Sequence, residues 1–276
     1  MKVYISVDME GVAGVSHSNP TKRGDAGYPR AVELMVGEAN AAIDGAYAGG
    51  ATEVTVNDSH GGMYNLDPER LDQRARLVQG NKPWSMAAAA REGKFDIALF
   101  IGYHARAGHP RGTLAHTYTG RITLAEVAGR PVTEAAINGL YLGAFGVPVG
   151  MISGDDALAE ELADWFPWAE RVVVKRAVSL RAADSLHPAE ARELITAGAR
   201  RAVERALSGD GLEPLTLKAP LDLRIEFALP GQADFVAMIP GFEREADRAV
   251  RYEASDAVTL FRAFVVAADL AAVADD

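Results

Sequence analysis

The segment Asp96-Ile97-Ala98-Leu99-Phe100-Ile101 is apolar at every position after its first. A strand without polar alternation has two faces to hide, and such strands sit inside parallel sheets that helices cover on both sides. Neighbouring segments repeat the theme. Val3 to Val7 is a short β-branched run, and Ala31 to Ala48 carries apolar residues at helical spacing before Gly49-Gly50, a C-cap signal. Glu53-Val54-Thr55-Val56 reads as a second strand, Pro83 to Arg91 as a short helix, and Val147 to Ile152 and Arg171 to Val174 as further strands. Gly154-Asp155-Asp156 opens a helix that runs into Trp165-Phe166. Strands alternating with helices predict an α/β fold, a three-layer arrangement around a mainly parallel sheet.

The remainder is less regular. Arg121-Ile122-Thr123-Leu124 followed by Gly129-Arg130-Pro131 predicts a hairpin added to that sheet. A charged amphipathic helix is expected from Pro188 to about Leu207, and Ser208-Gly209-Asp210-Gly211 is the best linker candidate. Beyond it come a strand from Leu221 to Phe227, strand-like Val250-Arg251-Tyr252, and a closing helix from Ser255 to about Val273. The expected organisation is therefore a metal-site domain over 1–208 and a smaller α+β portion over 209–276 packed on it.

Composition narrows the function. With 276 residues, 49% of them hydrophobic, the chain can build one large core or two unequal ones. A formal charge of -10 repels phosphate backbones, which argues against nucleic-acid partners. There is no cysteine, so disulfides and thiolate ligands are excluded and any metal is held by His and carboxylates. The N-terminal apolar run is interrupted by Asp8 and Glu10, and no later stretch reaches the roughly 18 uncharged residues of a transmembrane helix. A soluble cytoplasmic protein without a membrane partner is expected.

Three of the expected strands end in residues able to bind metal. Val3 to Val7 leads into Asp8 and Glu10, Glu53 to Val56 into Asn57-Asp58-Ser59-His60, and Asp96 to Ile101 into Gly102-Tyr103-His104. Open α/β sheets bind ligands at the carboxyl ends of their strands, so these loops should converge. Asp8 and Glu10, two apart, face the same side of an extended chain. Gly11 and Gly102 would let the backbones approach. Two imidazoles and two carboxylates suit Zn²⁺, which takes N and O ligands at roughly 2.0–2.2 Å. His116 and Glu134 are candidates to complete the site.

Taken singly, each position has a plainer reading. His17, His109 and His187 are expected to be surface or hydrogen-bonded residues. Asp58 reads as a turn residue, Asp155 and Asp156 as a helix start, and Glu134 as a first-turn acid favoured by the helix dipole. Gly11-Val12-Ala13-Gly14 lacks the full glycine spacing of a dinucleotide turn, and Asp8 and Glu10 would repel a pyrophosphate. The joint placement after three core strands is what favours a metal site.

Ser6-Val7-Asp8-Met9-Glu10-Gly11, Val56-Asn57-Asp58-Ser59-His60 and Gly102-Tyr103-His104-Ala105 resemble the signature segments of the D-aminopeptidase family, peptidase family M55. The resemblance continues through Arg130-Pro131-Val132, Gly154-Asp155-Asp156 and Ile225-Glu226-Phe227, so it spans essentially the whole chain. It implies a zinc-dependent aminopeptidase with two Zn²⁺ per chain. Asp8 matches the carboxylate that bridges both ions, and Glu10, His60, His104 and Glu134 match the remaining ligands. His116 matches the catalytic histidine. The family's ring-shaped decamers imply a homo-oligomer, and its activity implies short peptide substrates, including peptides of D-amino acids. Ser16 to Tyr28 departs from the family pattern. Two other functions are compatible with the same ligands: a metal-dependent deacylase or phosphoesterase, and a non-catalytic, metal-stabilised peptide-binding protein.

Overall fold

A computed structural model describes residues 1–90 and 94–275 of the chain. Its frame is a seven-stranded sheet, ordered β3-β2-β1-β4-β7-β8-β9. The strands are β1 (Lys2–Val7), β2 (Glu53–Asp58), β3 (Ala75–Val78), β4 (Ile97–Ile101), β7 (Val149–Asp155), β8 (Glu170–Ser179) and β9 (Ala182–Ser185). Every pairing is parallel except the β8–β9 hairpin. All residues of β4 and β7 are buried, which is what an apolar strand without alternation demands. The α/β expectation holds.

Each face of this sheet has its own core. On one side Val3, Ile5, Leu99 and Ile101 pack under α1 (Tyr28–Ala48) and α4 (Pro188–Ser208). These two helices lie close together because α1 presents glycine where they meet: a Cβ on Gly45 would fall 2.3 Å from the Thr196 carbonyl oxygen. On the other side Tyr4, Ala98 and Phe100 join α2 (Glu134–Gly143) and α6 (Ala257–Leu270).

A second, antiparallel sheet closes that side, ordered β11-β12-β10-β5-β6. Its strands are β5 (Ile122–Val127), β6 (Arg130–Pro131), β10 (Leu221–Phe227), β11 (Phe242–Ala246) and β12 (Ala249–Ala254), with α5 (Pro230–Ala237) between β10 and β11. Along β10, Leu221, Leu223, Ile225 and Phe227 are buried while the residues between them are only partly covered, the alternation of a sheet with one covered face. Residues Ala257–Ala274 suit a membrane span by length and composition. Here Leu260, Phe261, Phe264 and Ala267 of α6 are instead buried in the core shared with the antiparallel sheet.

Several sequence expectations need correction. The 121–131 hairpin does not extend the parallel sheet; β5 pairs with β10, so a local hairpin signal identified the strands but not their distant partner. The antiparallel sheet thus draws strands from both sides of the expected division at 208–209. The helix opening at Asp156 ends at Glu161 (α3), and turns carry the chain to Trp165-Phe166. Within Pro83 to Arg91 the described residues hold a 3₁₀ turn at Ser85–Ala87 and a helical Ala90, and Arg91 lies outside the described residues. Strands β3, β9 and β11 and helix α5 are short and weakly patterned, so local composition does not announce them.

Candidate metal centre

The site lies where β2, β1 and β4 end side by side. Parallel pairing puts their carboxyl ends on one edge, and hydrogen bonds continue past the strands: Asp8 N–H donates to the Ile101 carbonyl (2.8 Å) and Ser59 N–H to that of Val7 (2.9 Å). The loops after β1 and β4 then touch. Gly11 N–H donates to the Gly102 carbonyl at 2.7 Å, and a Cβ on Gly11 would lie 1.9 Å from the Tyr103 oxygen. Gly102 sits at φ +70°, where a side chain would be strained and its Cβ would meet the Asp8 oxygen at 2.3 Å. Close approach makes glycine necessary at both positions.

The structure brings Asp8, Glu10, His60, His104, His116 and Glu134 together. Asp8 points one carboxylate oxygen at each of two histidines: Oδ1 lies 3.3 Å from His60 Nδ1, and Oδ2 lies 3.3 Å from His104 Nε2. Glu10 Oε2 is 2.9 Å from His60 Nδ1, and Glu134 Oε1 is 3.4 Å from His104 Nε2. His116 stacks on His104 with ring centroids 4.1 Å apart, its Nε2 3.7 Å from Glu134 Oε1. Ligand atoms of Asp8, Glu10 and His104 form one metal-compatible group, and those of His104, His116 and Glu134 another, each within 4.8 Å.

The hydrogen bonds of the three rings decide what this cluster can hold. His60 Nε2 donates to the Thr21 carbonyl (2.8 Å), His104 Nδ1 to that of Ala105 (3.0 Å) and His116 Nδ1 to that of Leu114 (2.9 Å). A carbonyl only accepts, so each neutral ring has its N–H committed and turns a lone pair inward. His60 Nδ1 and His104 Nε2 therefore meet carboxylate oxygens lone pair to lone pair, and His104 Nε2 has no hydrogen-bond partner. Such an arrangement requires a cation between the groups, either a proton or a metal. Ring N–H groups anchored on carbonyls are the supporting arrangement of metal-binding histidines. The residues fit zinc.

Electrostatics carry the same message. Burial lowers the affinity of His60 and His104 for a proton, yet the surrounding carboxylates, Glu10 for one and Glu134 for the other, hold both well above the ordinary imidazole range. Burial pushes Asp8 up, but the neighbouring imidazoles of His104 and His60, when charged, outweigh it and keep it below the usual carboxylate range. Glu134 is likewise lowered: burial raises it and the neighbouring His104 more than compensates.

Supporting residues come from distant parts of the chain. Thr133 caps α2 through the Ala136 N–H (3.0 Å), which fixes Glu134 at the first turn, and Tyr118 N–H donates to Glu134 Oε1 at 2.6 Å. Lys175, buried on β8, donates to the carbonyls of Glu10, Val12 (3.2 Å) and Val15 (2.6 Å). Buried Glu38 of α1 accepts from Ala13 N–H at 2.8 Å, so a lysine and a glutamate clamp the loop that carries Glu10. Sequence reading missed Thr21, Glu38 and Lys175. Lys175 left one weak signal, a charge directly after the β-branched run Val172-Val173-Val174 and within the strand that continues it.

Residues given plainer readings behave accordingly. Asp58 accepts from Asn65 N–H (2.5 Å) and Leu66 N–H (2.7 Å), shaping the turn after His60. Asp155 caps α3 through Leu158 N–H, and Asp156 pairs with Arg111. His17, His109 and His187 each accept nearby backbone N–H groups outside the site.

The sequence model of the D-aminopeptidase family matches residues 1–266. The chain belongs to the D-aminopeptidase family. It is 37% identical over 273 residues to the D-aminopeptidase of Bacillus subtilis (strain 168), covering 98% of each chain. It is also similar to the solved structure of the Zn-dependent D-aminopeptidase DppA from Bacillus subtilis, described as a self-compartmentalizing protease. That likeness has a TM-score of 0.93 and 36% identity, with 100% of both chains covered. Family membership agrees with the resemblance carried by Asp8-Met9-Glu10-Gly11, Asn57-Asp58-Ser59-His60 and Gly102-Tyr103-His104.

Proposed function

We propose that this chain is a zinc-dependent aminopeptidase that removes the N-terminal residue of short peptides, including peptides of D-amino acids. One observation carries the reading: three imidazole lone pairs and three carboxylates converge in a site whose ring N–H groups are already committed to carbonyls. Asp8 would contribute to holding both zinc ions. Glu10 and His60 would serve one ion, His104 and Glu134 the other. When bound, paired zinc would lower the pKa of a water toward about 7 and polarise the scissile carbonyl.

The chain's own groups supply the rest. His116 Nδ1–H is fixed on the Leu114 carbonyl, so Nε2 is the atom that accepts the proton from the attacking water and returns it to the leaving amine. The side chain is 29% exposed and lines both the inner cavity and the larger one outside it, where a substrate can reach it. The Glu10 side of the site would receive the peptide's free N-terminal amine, which suits an aminopeptidase rather than an endopeptidase. The relative's self-compartmentalizing assembly supports a homo-oligomer for this chain as well, and the resemblance supports a ring-shaped decamer.

The deciding experiment combines elemental analysis of protein purified without added metal with assays on D-alanyl and L-alanyl anilides and a phosphate ester. About two zinc per chain and hydrolysis of the D-alanyl anilide are expected. Hydrolysis of the phosphate ester alone would replace the peptidase with a phosphoesterase. Light scattering on the same sample measures the assembly.

A further inference from the structure

A small inner cavity of about 100 Å³ touches Asp8, Glu10, His60, His116 and Glu134. Outside it lies a larger cavity of about 670 Å³ that shares Glu10 and His116 with the first, so these two residues mark the threshold between them. The outer cavity is basic. Lys22, Arg121 and Arg181 line it, and among the described residues Glu10 at the threshold is its only lining carboxylate. On a chain with a net charge of -10, three cations gathered at the mouth of the metal site depart sharply from the average surface.

The three cations come from separate segments, and each is tied to the metal centre by a neighbour in sequence. Lys22 follows Thr21, whose carbonyl holds His60 Nε2. Arg181 follows Leu180, at the tip of the β8–β9 hairpin, and the Leu180 carbonyl accepts Leu114 N–H at 2.7 Å. Leu114 in turn holds His116 through its own carbonyl. Arg121 follows the Tyr118–Thr119 turn that reaches Glu134, and its Nη1 donates to Thr119 Oγ1 at 2.9 Å. Lys22 and Arg181 have no carboxylate partner among the described residues. The metal centre would take the amine end of a short peptide, so a peptide in the productive direction turns its carboxylate outward, toward the three cations. Each extended residue spans only about 3.3–3.6 Å, so a cavity of this size accommodates a few residues beyond the scissile bond.

We propose that the outer cavity is a carboxylate subsite in which Lys22, Arg121 and Arg181 bind the free C-terminus of a short peptide whose N-terminus lies at Glu10. The chain then selects its substrates at both ends, reading a free amine within and a free carboxylate without. This rests on the aminopeptidase reading and adds to it the recognition of the far end of the substrate.

The test compares kcat and KM for a D-alanyl tripeptide acid and its C-terminal amide, using the zinc-loaded full chain, the exposed-residue variants Lys22→Ala and Arg181→Ala, and their double variant. In wild type the acid is expected to exceed the amide in kcat/KM by about tenfold or more, as charge-assisted contacts typically provide. The variants should raise KM for the acid, by about tenfold for Arg181→Ala, and leave the amide within about twofold. Raising salt from about 0.05 to 0.5 M should shrink the acid preference in wild type only, because exposed charges are screened. Equal rates on acid and amide in wild type, or variants that slow both substrates alike, would overturn the subsite while leaving the aminopeptidase standing. Failure to cleave either substrate would instead remove the aminopeptidase reading beneath it.

Discussion

The two sheets divide the labour of the molecule. In the parallel sheet, buried polar side chains are common: Ser6, Asn57, Asp58, Ser153, Asp155 and Lys175 all lie on its strands, and Asp8, Glu10, His60 and His104 follow their ends. Among the described residues of β5, β6, β10–β12, α5 and α6, only Gln232 is a buried polar side chain. Charges of the antiparallel sheet lie on its outer face instead, as where Arg224 pairs with Glu126, Glu226 and Glu245. The cause is directional. Parallel strands bring all their carboxyl ends to one edge, so loops from distant parts of the sequence meet there. Antiparallel strands alternate in direction and have one face to cover, so this sheet contributes apolar area. One half of the molecule makes the site and the other supports it.

That division is open to direct attack. The largest effect is expected from Asp8→Ala, which removes the one carboxylate among the described residues that faces both His60 and His104. Bound zinc and turnover should fall together, by more than the ~10–100-fold typical for losing a mere supporting partner of a ligand. Zinc content and activity measured on the same sample decide it, and full metal retention would remove Asp8 from the bridging position. His116→Ala should come next, keeping its zinc while turnover falls about 10²–10⁴-fold. Should zinc be lost with it, His116 would join His104 and Glu134 as a ligand.

The antiparallel half should answer in stability alone. Phe227→Ala empties a fully buried position, and a loss of about 3–5 kcal/mol is expected in denaturant unfolding. Activity per folded molecule should stay near wild type, and a selective loss of turnover would break the division between the halves.

The smallest effect concerns Glu38, beside the loop that carries Glu10. Burial raises this carboxyl from 4.5 to about 7, even though the Ala13 N–H and Lys175 favour its charged form. The folded chain therefore binds this proton more tightly than the unfolded chain. Its contribution is fully present below pH 4.5 and is lost as pH rises toward 7, by about 3 kcal/mol at most. Glu38→Gln has no proton to lose. Melting temperature followed from pH 4.5 to 8 should decline less in the variant, and identical slopes would show that Glu38 is already ionised in the fold.

Much of the site was legible in the sequence because its residues follow immediately after strands with strong signals. Val3–Val7, Glu53–Val56 and Asp96–Ile101 announce themselves by local composition, and Asp8, Glu10, His60 and His104 follow within a few residues of each. Composition also excluded thiolate ligands, and co-linear short segments pointed to the family. Tertiary structure decided what depends on partners far away in the chain. Whether β5 and β6 joined the parallel sheet or paired with β10 depended on a contact across about a hundred residues, which no local pattern encodes. The commitment of each imidazole N–H to a carbonyl, Thr21 for His60 and Ala105 for His104, needs the folded loops in place. So does the clamp of Lys175 on Glu10, Val12 and Val15. Local patterning selects strands and the residues at their ends; hydrogen-bond direction and charge around those residues exist only once the chain has closed on itself.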